Sequence, residues 1–158
     1  MSEYLVDQVL KKIKEVYPLY YRLILIVGPA GSGKTKILQE VAEDTSSPVI
    51  NVNLELSRRM LDLTKRQRAL YLDKLLNEIV GDAKGKVVLL DNIEILFDYE
   101  LKQNPLHLLQ KLSRNKTIVA TWNGTIVDHH LTYAVPNHRE YRRYPIDDLI
   151  IVDIKKDL

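Results

Sequence analysis

Apolar residues recur at three- and four-residue intervals over residues 3 to 17, at Leu5, Val6, Val9, Leu10, Ile13, Val16 and Tyr17, and Pro18 closes the segment. That spacing predicts an amphipathic helix. Leu23 to Val27 is an unbroken apolar run, the pattern of a strand buried on both faces. Helical spacing returns from Gly33 to about Asp44, with Ile37, Leu38, Val41 and Ala42 facing inward. After a turn at Thr45-Ser-Ser-Pro48, Val49 to Asn53 reads as a second strand, and Leu54 to Arg59 leads into a long helix. Ala69, Leu72, Leu75, Leu76, Ile79 and Val80 keep that helix in period and Gly81 marks its exit. Thr64-x-x-Gln67 is a capping box that either starts or restarts it. Four further elements follow: a strand over Lys86–Asp91, a short helix over Ile93–Phe97, a helix opened by Asn104-Pro105, and a strand over Lys116–Gly124. Thr132–Val135 predicts a short edge strand and Leu149–Asp153 the last core strand.

Composition narrows the class. A chain of 158 residues suits one domain, and 46% hydrophobic with 28% charged residues is ordinary for a soluble globular protein. A net charge of +2 is too small to announce nucleic-acid binding by itself. With no cysteine, disulfides and thiolate zinc sites are excluded. No apolar run approaches a membrane span and the N-terminus lacks a secretory pattern, so a cytoplasmic protein without membrane contact is expected.

Chemistry enters where the first apolar run empties into Gly28-Pro29-Ala30-Gly31-Ser32-Gly33-Lys34-Thr35. This is the full G-x-x-x-x-G-K-T phosphate-binding loop, with a strand before it and a helix after it. Glycines let backbone N–H groups crowd against phosphate oxygens, and the following helix aims its positive end at the same point. Lys34 is suited to reach the β- and γ-phosphates of ATP, and the Thr35 hydroxyl to ligate Mg²⁺.

Lys86-Val-Val-Leu-Leu-Asp91 is the second anchor: a buried parallel strand delivering a carboxylate to its C-terminal end, where Asp91 would hold Mg²⁺. A hydrolytic site also needs a group that activates or orients water. In the large ATPase group with an extra strand between the two motifs, that group is usually Glu directly after the Mg²⁺ acid. Here that position is Asn92, which can orient water but cannot accept a proton, and the nearest acid is Glu94. Glu94 either reaches the site or serves the short helix it begins. At the end of the 116–124 strand, Thr121 and Asn123 are candidates for a contact near the γ-phosphate, with Asn123 slightly favoured; Asn123-Gly124 also reads as a plain turn.

One basic cluster, His138-Arg139-Glu140-Tyr141-Arg142-Arg143, precedes the last core strand. In ring-forming ATPases the arginine that reaches a neighbour's γ-phosphate lies in that interval, which makes Arg139, Arg142 and Arg143 candidates, since planar guanidinium donors clamp spreading phosphate charge. A solvated basic face, or a surface touching DNA phosphates, explains the cluster equally well. The four histidines show no ligand spacing.

Five segments carry a family resemblance: Val49-Ile-Asn-Val-Asn-Leu-Glu-Leu-Ser-Arg-Arg59, Leu89-Leu-Asp-Asn-Ile-Glu-Ile-Leu-Phe97, Leu109-Gln-Lys-Leu-Ser-Arg-Asn115, Trp122-Asn-Gly124 and Tyr141-Arg-Arg-Tyr-Pro145. In these the chain resembles the BrxF family of small phosphate-loop ATPases from type 3 BREX (bacteriophage exclusion) defence systems. The resemblance implies a cytoplasmic ATPase acting with other BREX defence proteins that mark host DNA and block phage replication. It also implies a core similar to that of the ring-forming AAA+ ATPases. One departure matters: too few residues follow the last strand for the usual helical lid, so closure over nucleotide would come from a neighbouring subunit or partner.

The expected fold is therefore a three-layer α/β phosphate-loop NTPase: one domain over residues 1–158, with residues 1–18 as an amphipathic helix packed on the core. Its mostly parallel five-stranded sheet is expected in the order 5-1-4-3-2, without a helical lid. The expected activity is ATP·Mg²⁺ binding and hydrolysis with Lys34, Asp91, Glu94, Asn123, Arg142 and Arg143 at the site, in a homo-oligomer or ring. A non-hydrolysing nucleotide-gated assembly module and a small-molecule kinase are the rival readings. No Asn-Lys-x-Asp motif for reading guanine is present.

Overall fold

The structure, a computed structural model, describes residues 2–157. Its centre is a five-stranded sheet made of β1 (Leu23–Gly28), β2 (Val49–Asn51), β3 (Val87–Asp91), β4 (Thr117–Asn123) and β8 (Ile150–Asp153). The order across the sheet is β2-β3-β4-β1-β8, and every pairing is parallel. With the five core strands counted in chain order this is the expected 5-1-4-3-2, and it is wholly rather than mostly parallel.

The period-2 alternation of strand side chains splits the apolar runs between two cores. On one face Leu23, Leu25 and Val27 of β1 join Val88, Leu90, Ile118, Ala120 and Trp122. That face packs against α3 (Val52–Arg59), α4 (Lys65–Asp82) and α5 (Pro105–Leu112). On the other face Ile24, Ile26, Leu89, Val119 and Val152 pack against α1 (Ser2–Glu15) and α2 (Lys34–Thr45). All six residues of β1 are buried, which accounts for its unbroken apolar run.

The helix ends follow local chemistry. Thr64 and Gln67 form a reciprocal capping box, so that box starts α4. Asn104 accepts from the His107 N–H, with Pro105 in the first turn of α5. Three expectations are corrected. The second strand stops at Asn51, because the Asn51 side chain accepts from the Leu54 N–H and caps α3; residues 52 and 53 are helical. Residues 54–59 therefore belong to a separate helix rather than a lead-in to α4. The short helix after β3 is a 3-10 turn over Glu94–Phe97.

The larger correction lies beyond β4. The expected lone edge strand is part of a second, antiparallel sheet of β5 (Thr125–Val127), β6 (His130–Tyr133) and β7 (Arg142–Pro145). The β5–β6 hairpin turns through Asp128 and His129, both left-handed, the backbone that a tight two-residue hairpin requires. Among the described residues only the short α6 (Ile154–Asp157) follows β8, and no helical lid is present.

Candidate active site

Parallel strands end together, and the loops after β1, β3 and β4 share one edge of the sheet. Strand parity then places Asp91, Thr121 and Asn123 on the same face as Leu89 and Val119, the face covered by α2. A cleft of about 590 Å³ opens there, lined by the phosphate loop, Lys36 and Gln39 of α2, Asp91, Asn92, Glu94, Thr121 and Asn123.

Gly31 and Gly33 take positive φ values of 75° and 95°, a backbone that disfavours side chains. The loop so formed wraps Lys34, which is 6% exposed. Its Nζ donates to the carbonyls of Gly28 (2.8 Å) and Pro29 (2.6 Å) and to Ser32 Oγ (3.4 Å). Burial lowers the Lys34 pKa, while Glu94 and Asp91 oppose that shift. The Thr35 hydroxyl donates to Asp91 Oδ2 at 2.8 Å, and the Thr121 hydroxyl donates to Asp91 Oδ1 at 2.6 Å. Both carboxylate oxygens are thus held by threonines from two different elements.

Asn92 answers the question its sequence position raises. It adopts φ 51°, the left-handed region that asparagine tolerates better than glutamate. Its carbonyl accepts from the Asn53 N–H (2.8 Å), and Asn53 Oδ1 accepts from the Ile95 N–H (2.8 Å). This sharp turn, pinned to α3, folds the chain back so that Glu94 lines the cleft. Burial raises the Glu94 carboxyl pKa, and Asp91 pushes the same way, against Lys34. A raised carboxyl pKa within a cleft is the environment of a general base or of a water-orienting group.

Of the residues expected from sequence, the structure brings together the phosphate loop, Asp91, Glu94, Thr121 and Asn123. Arg142 and Arg143 stand apart in β7, and none of the residues lining the cleft is an arginine. The Arg142 guanidinium donates to the Gln103 and Tyr141 carbonyls, and Arg143 is exposed. Sequence reasoning passed over Lys36 and Gln39, whose only signal was closeness to the phosphate loop on one helix. Tyr133 is not among the residues lining the cleft; its ring stacks on Phe97, and burial with the Glu94 and Glu140 charges pushes its hydroxyl pKa up to about 12.

The donor set suits Mg²⁺. Hard oxygens from Thr35 and Asp91 lie side by side, and Mg²⁺ takes few protein ligands alongside substrate phosphates.

Comparison with known proteins bears on this geometry. A DNA replication initiation factor shares 17% identity at a TM-score of 0.54, over 92% of this chain and 44% of that one. PCH-2 of C. elegans shares 17% identity at a TM-score of 0.43, over 97% of this chain and 41% of that one. The chain thus spans less than half the length of these solved structures, and the likeness to the first concerns the fold. No curated protein sequence matches. Residues 24–127 match the ATPase family associated with various cellular activities, a stretch that runs from β1 through β5 and contains the phosphate loop, Asp91 and Glu94. The chain belongs to the AAA ATPase family.

Proposed function

We propose that this chain is the Mg²⁺-dependent ATP-hydrolysing component of a BREX-type phage-defence complex in the cytoplasm, acting as one domain over residues 1–158 and assembling with copies of itself and with other BREX proteins when nucleotide binds. The observation that carries hydrolysis is the return of Glu94 into the cleft beside Lys34 and Asp91. The defence role is supported by the resemblance of the five segments quoted above.

ATP would lie with its phosphates along Gly28–Thr35. Lys34 would exchange its loop carbonyls for phosphate oxygens, and backbone N–H groups of the loop would hold the rest. Thr35 and Asp91 would hold Mg²⁺, which supplies charge neutralisation at the phosphates. Thr121 keeps the Asp91 carboxylate oriented, and Asn123, which lines the same cleft, would contact the terminal phosphate. Glu94 orients the attacking water and accepts its proton. The same strand end places Asn92 where related ATPases carry Glu, which favours slow turnover; a nucleotide-gated switch without hydrolysis is the second reading. Arg143, exposed and outside its own cleft, is the better-placed arginine to act on a neighbouring copy, because Arg142 already serves Gln103.

Mass by light scattering with and without ATP·Mg²⁺, paired with phosphate release on the same sample, tests this reading. Expected are nucleotide-dependent assembly and turnover that falls at least about 10²-fold in Lys34→Ala. Glu94→Gln should assemble but hydrolyse poorly, and Arg143→Ala should lose turnover with nucleotide binding retained. Assembly with no turnover by the unaltered chain would leave the switch. Unchanged phage resistance in cells carrying Lys34→Ala beside the remaining defence genes would sink the BREX role.

A further inference from the structure

The opposite edge of the parallel sheet carries a second cleft, also about 590 Å³, that nucleotide chemistry does not use. Ile13 and Val87 give it an apolar floor, Tyr17 an aromatic wall, and Lys14, Arg22 and Lys86 a cationic rim. No acid lines it. Lys14, Lys86 and Tyr17 are exposed, Tyr17 to the extent of 66%. None of the ion pairs among the described residues engages Lys14, Arg22 or Lys86. Backbone hydrogen bonds tie three of the segments that line the cleft side by side: Arg22 N–H to Ser113 O, Ile118 N–H to Arg22 O, and Thr117 N–H to Lys86 O. The Arg22 guanidinium is fixed in turn by donating to Arg114 O at 2.8 Å. Next to the cleft Tyr20 is 63% exposed, with the Arg114 guanidinium 4.0 Å from its ring centroid.

We propose that this edge binds single-stranded nucleic acid, one base stacking on Tyr17 over the Ile13–Val87 floor while Lys14, Arg22 and Lys86 hold the flanking phosphates. The chemistry selects that partner. Unopposed cations attract a polyanion, but an apolar slot with an exposed ring rewards an anion that also carries flat π-faces. Duplex DNA keeps its bases stacked inside and offers the slot nothing, and an acidic peptide offers charge without rings. The residues are separate from the ATP cleft, since they lie before or at the first residues of β1, β3 and β4 whereas the cleft residues lie at or beyond the opposite ends of those strands.

The test is fluorescence anisotropy of a labelled oligothymidylate of about 16 nucleotides with the full chain over a salt series. Expected are binding, a roughly tenfold weaker Kd for Tyr17→Ala, and a log–log salt slope shallower by about 1.4 for Lys14→Ala combined with Lys86→Ala, two phosphate contacts at about 0.7 each. Lys74→Ala, an exposed lysine on α4, should change neither, and ATP binding should persist in every variant, which shows that each is folded. The proposal is overturned by absence of binding, by groove variants that bind as the unaltered chain does, or by equal competition from duplex DNA or polyglutamate, the last of which would make an acidic protein the partner.

Discussion

The two sheets of this protein obey different rules. In the five-stranded sheet every strand is parallel, and β1, β3 and β4 are almost entirely buried, so their apolar runs are continuous and their ends deliver Gly28, Asp91 and Asn123 to one edge. The three-stranded sheet is antiparallel and short, with half-buried and exposed residues alternating along β7. It is held to the core by an aromatic cluster: Tyr133 stacks on Phe97 with centroids 3.6 Å apart, Trp122 meets Phe97 edge-on at 5.0 Å, and Tyr144 meets Trp122 at 5.9 Å. The large sheet thus presents the phosphate-loop motif and Asp91 at one fixed edge. The small one buttresses the strand end and the 3-10 turn from which Asn123 and Glu94 reach the cleft.

If that division holds, the joint between the sheets is the most sensitive place to strike. Trp122 is fully buried, and its indole N–H donates to Thr132 O at 3.1 Å. Trp122→Ala should cost about 3–5 kcal/mol in urea unfolding. Turnover should fall more than nucleotide affinity in whatever native fraction remains. Equal losses in both would erase the distinction between a fixed loop and a buttressed acid.

Gly124 gives a smaller and more local perturbation. A Cβ there would lie 1.9 Å from Thr132 O, and the Gly124 N–H donates to Gly28 O at 3.1 Å, so this residue ties the phosphate loop to β6 by close approach. Gly124→Ala should destabilise by about 1–3 kcal/mol through overpacking and broaden NMR signals of β5 and β6 before those of β1. Uniform broadening would mean that the two sheets respond as one body.

The smallest effect is one of pH. In the folded chain the Glu94 carboxyl titrates above its ordinary 4.5, so the folded state holds that proton to higher pH than the unfolded state does. The associated stability is complete below pH 4.5 and is lost as pH rises through the folded value. Glu94→Gln should therefore flatten the melting temperature over the window just above pH 4.5 and leave the chain more stable at neutral pH. An unchanged profile would place the carboxyl in solvent rather than in the cleft.

What could be read in advance follows the same division. Continuous apolar runs and capping residues are local signals, and they located β1, β3, β4, α2 and the start of α5 to within a residue or two, while for α4 they located the end but left the start open. The β5–β6 hairpin was not legible, because Asp128-His129 lacks the Asn-Gly or Asp-Gly chemistry that marks such turns, although both residues take the required left-handed backbone. Asn51 misled for a related reason: one amide side chain converts the end of a strand into the cap of a helix. Arg142 and Arg143 lie in β7, and the pairing of β7 with β6 that sets them apart from this chain's own cleft leaves no periodic signal in so short a strand.

The phosphate loop and the acid at the end of β3 are written in the residue types of contiguous segments, whereas the order of the parallel sheet joins five separated strands and is expected only through the likeness to ring-forming ATPase cores. That Glu94 lines the cleft beside Asn92 follows from the tertiary fold alone: Asn53, a residue of α3, pins a left-handed turn at Asn92 from across the chain, and a hydrogen bond between segments so far apart leaves no periodic mark in sequence. Likewise only the fold made Thr121 the residue that holds Asp91, because parity and register across two strands put that hydroxyl, and not its neighbours, against the carboxylate.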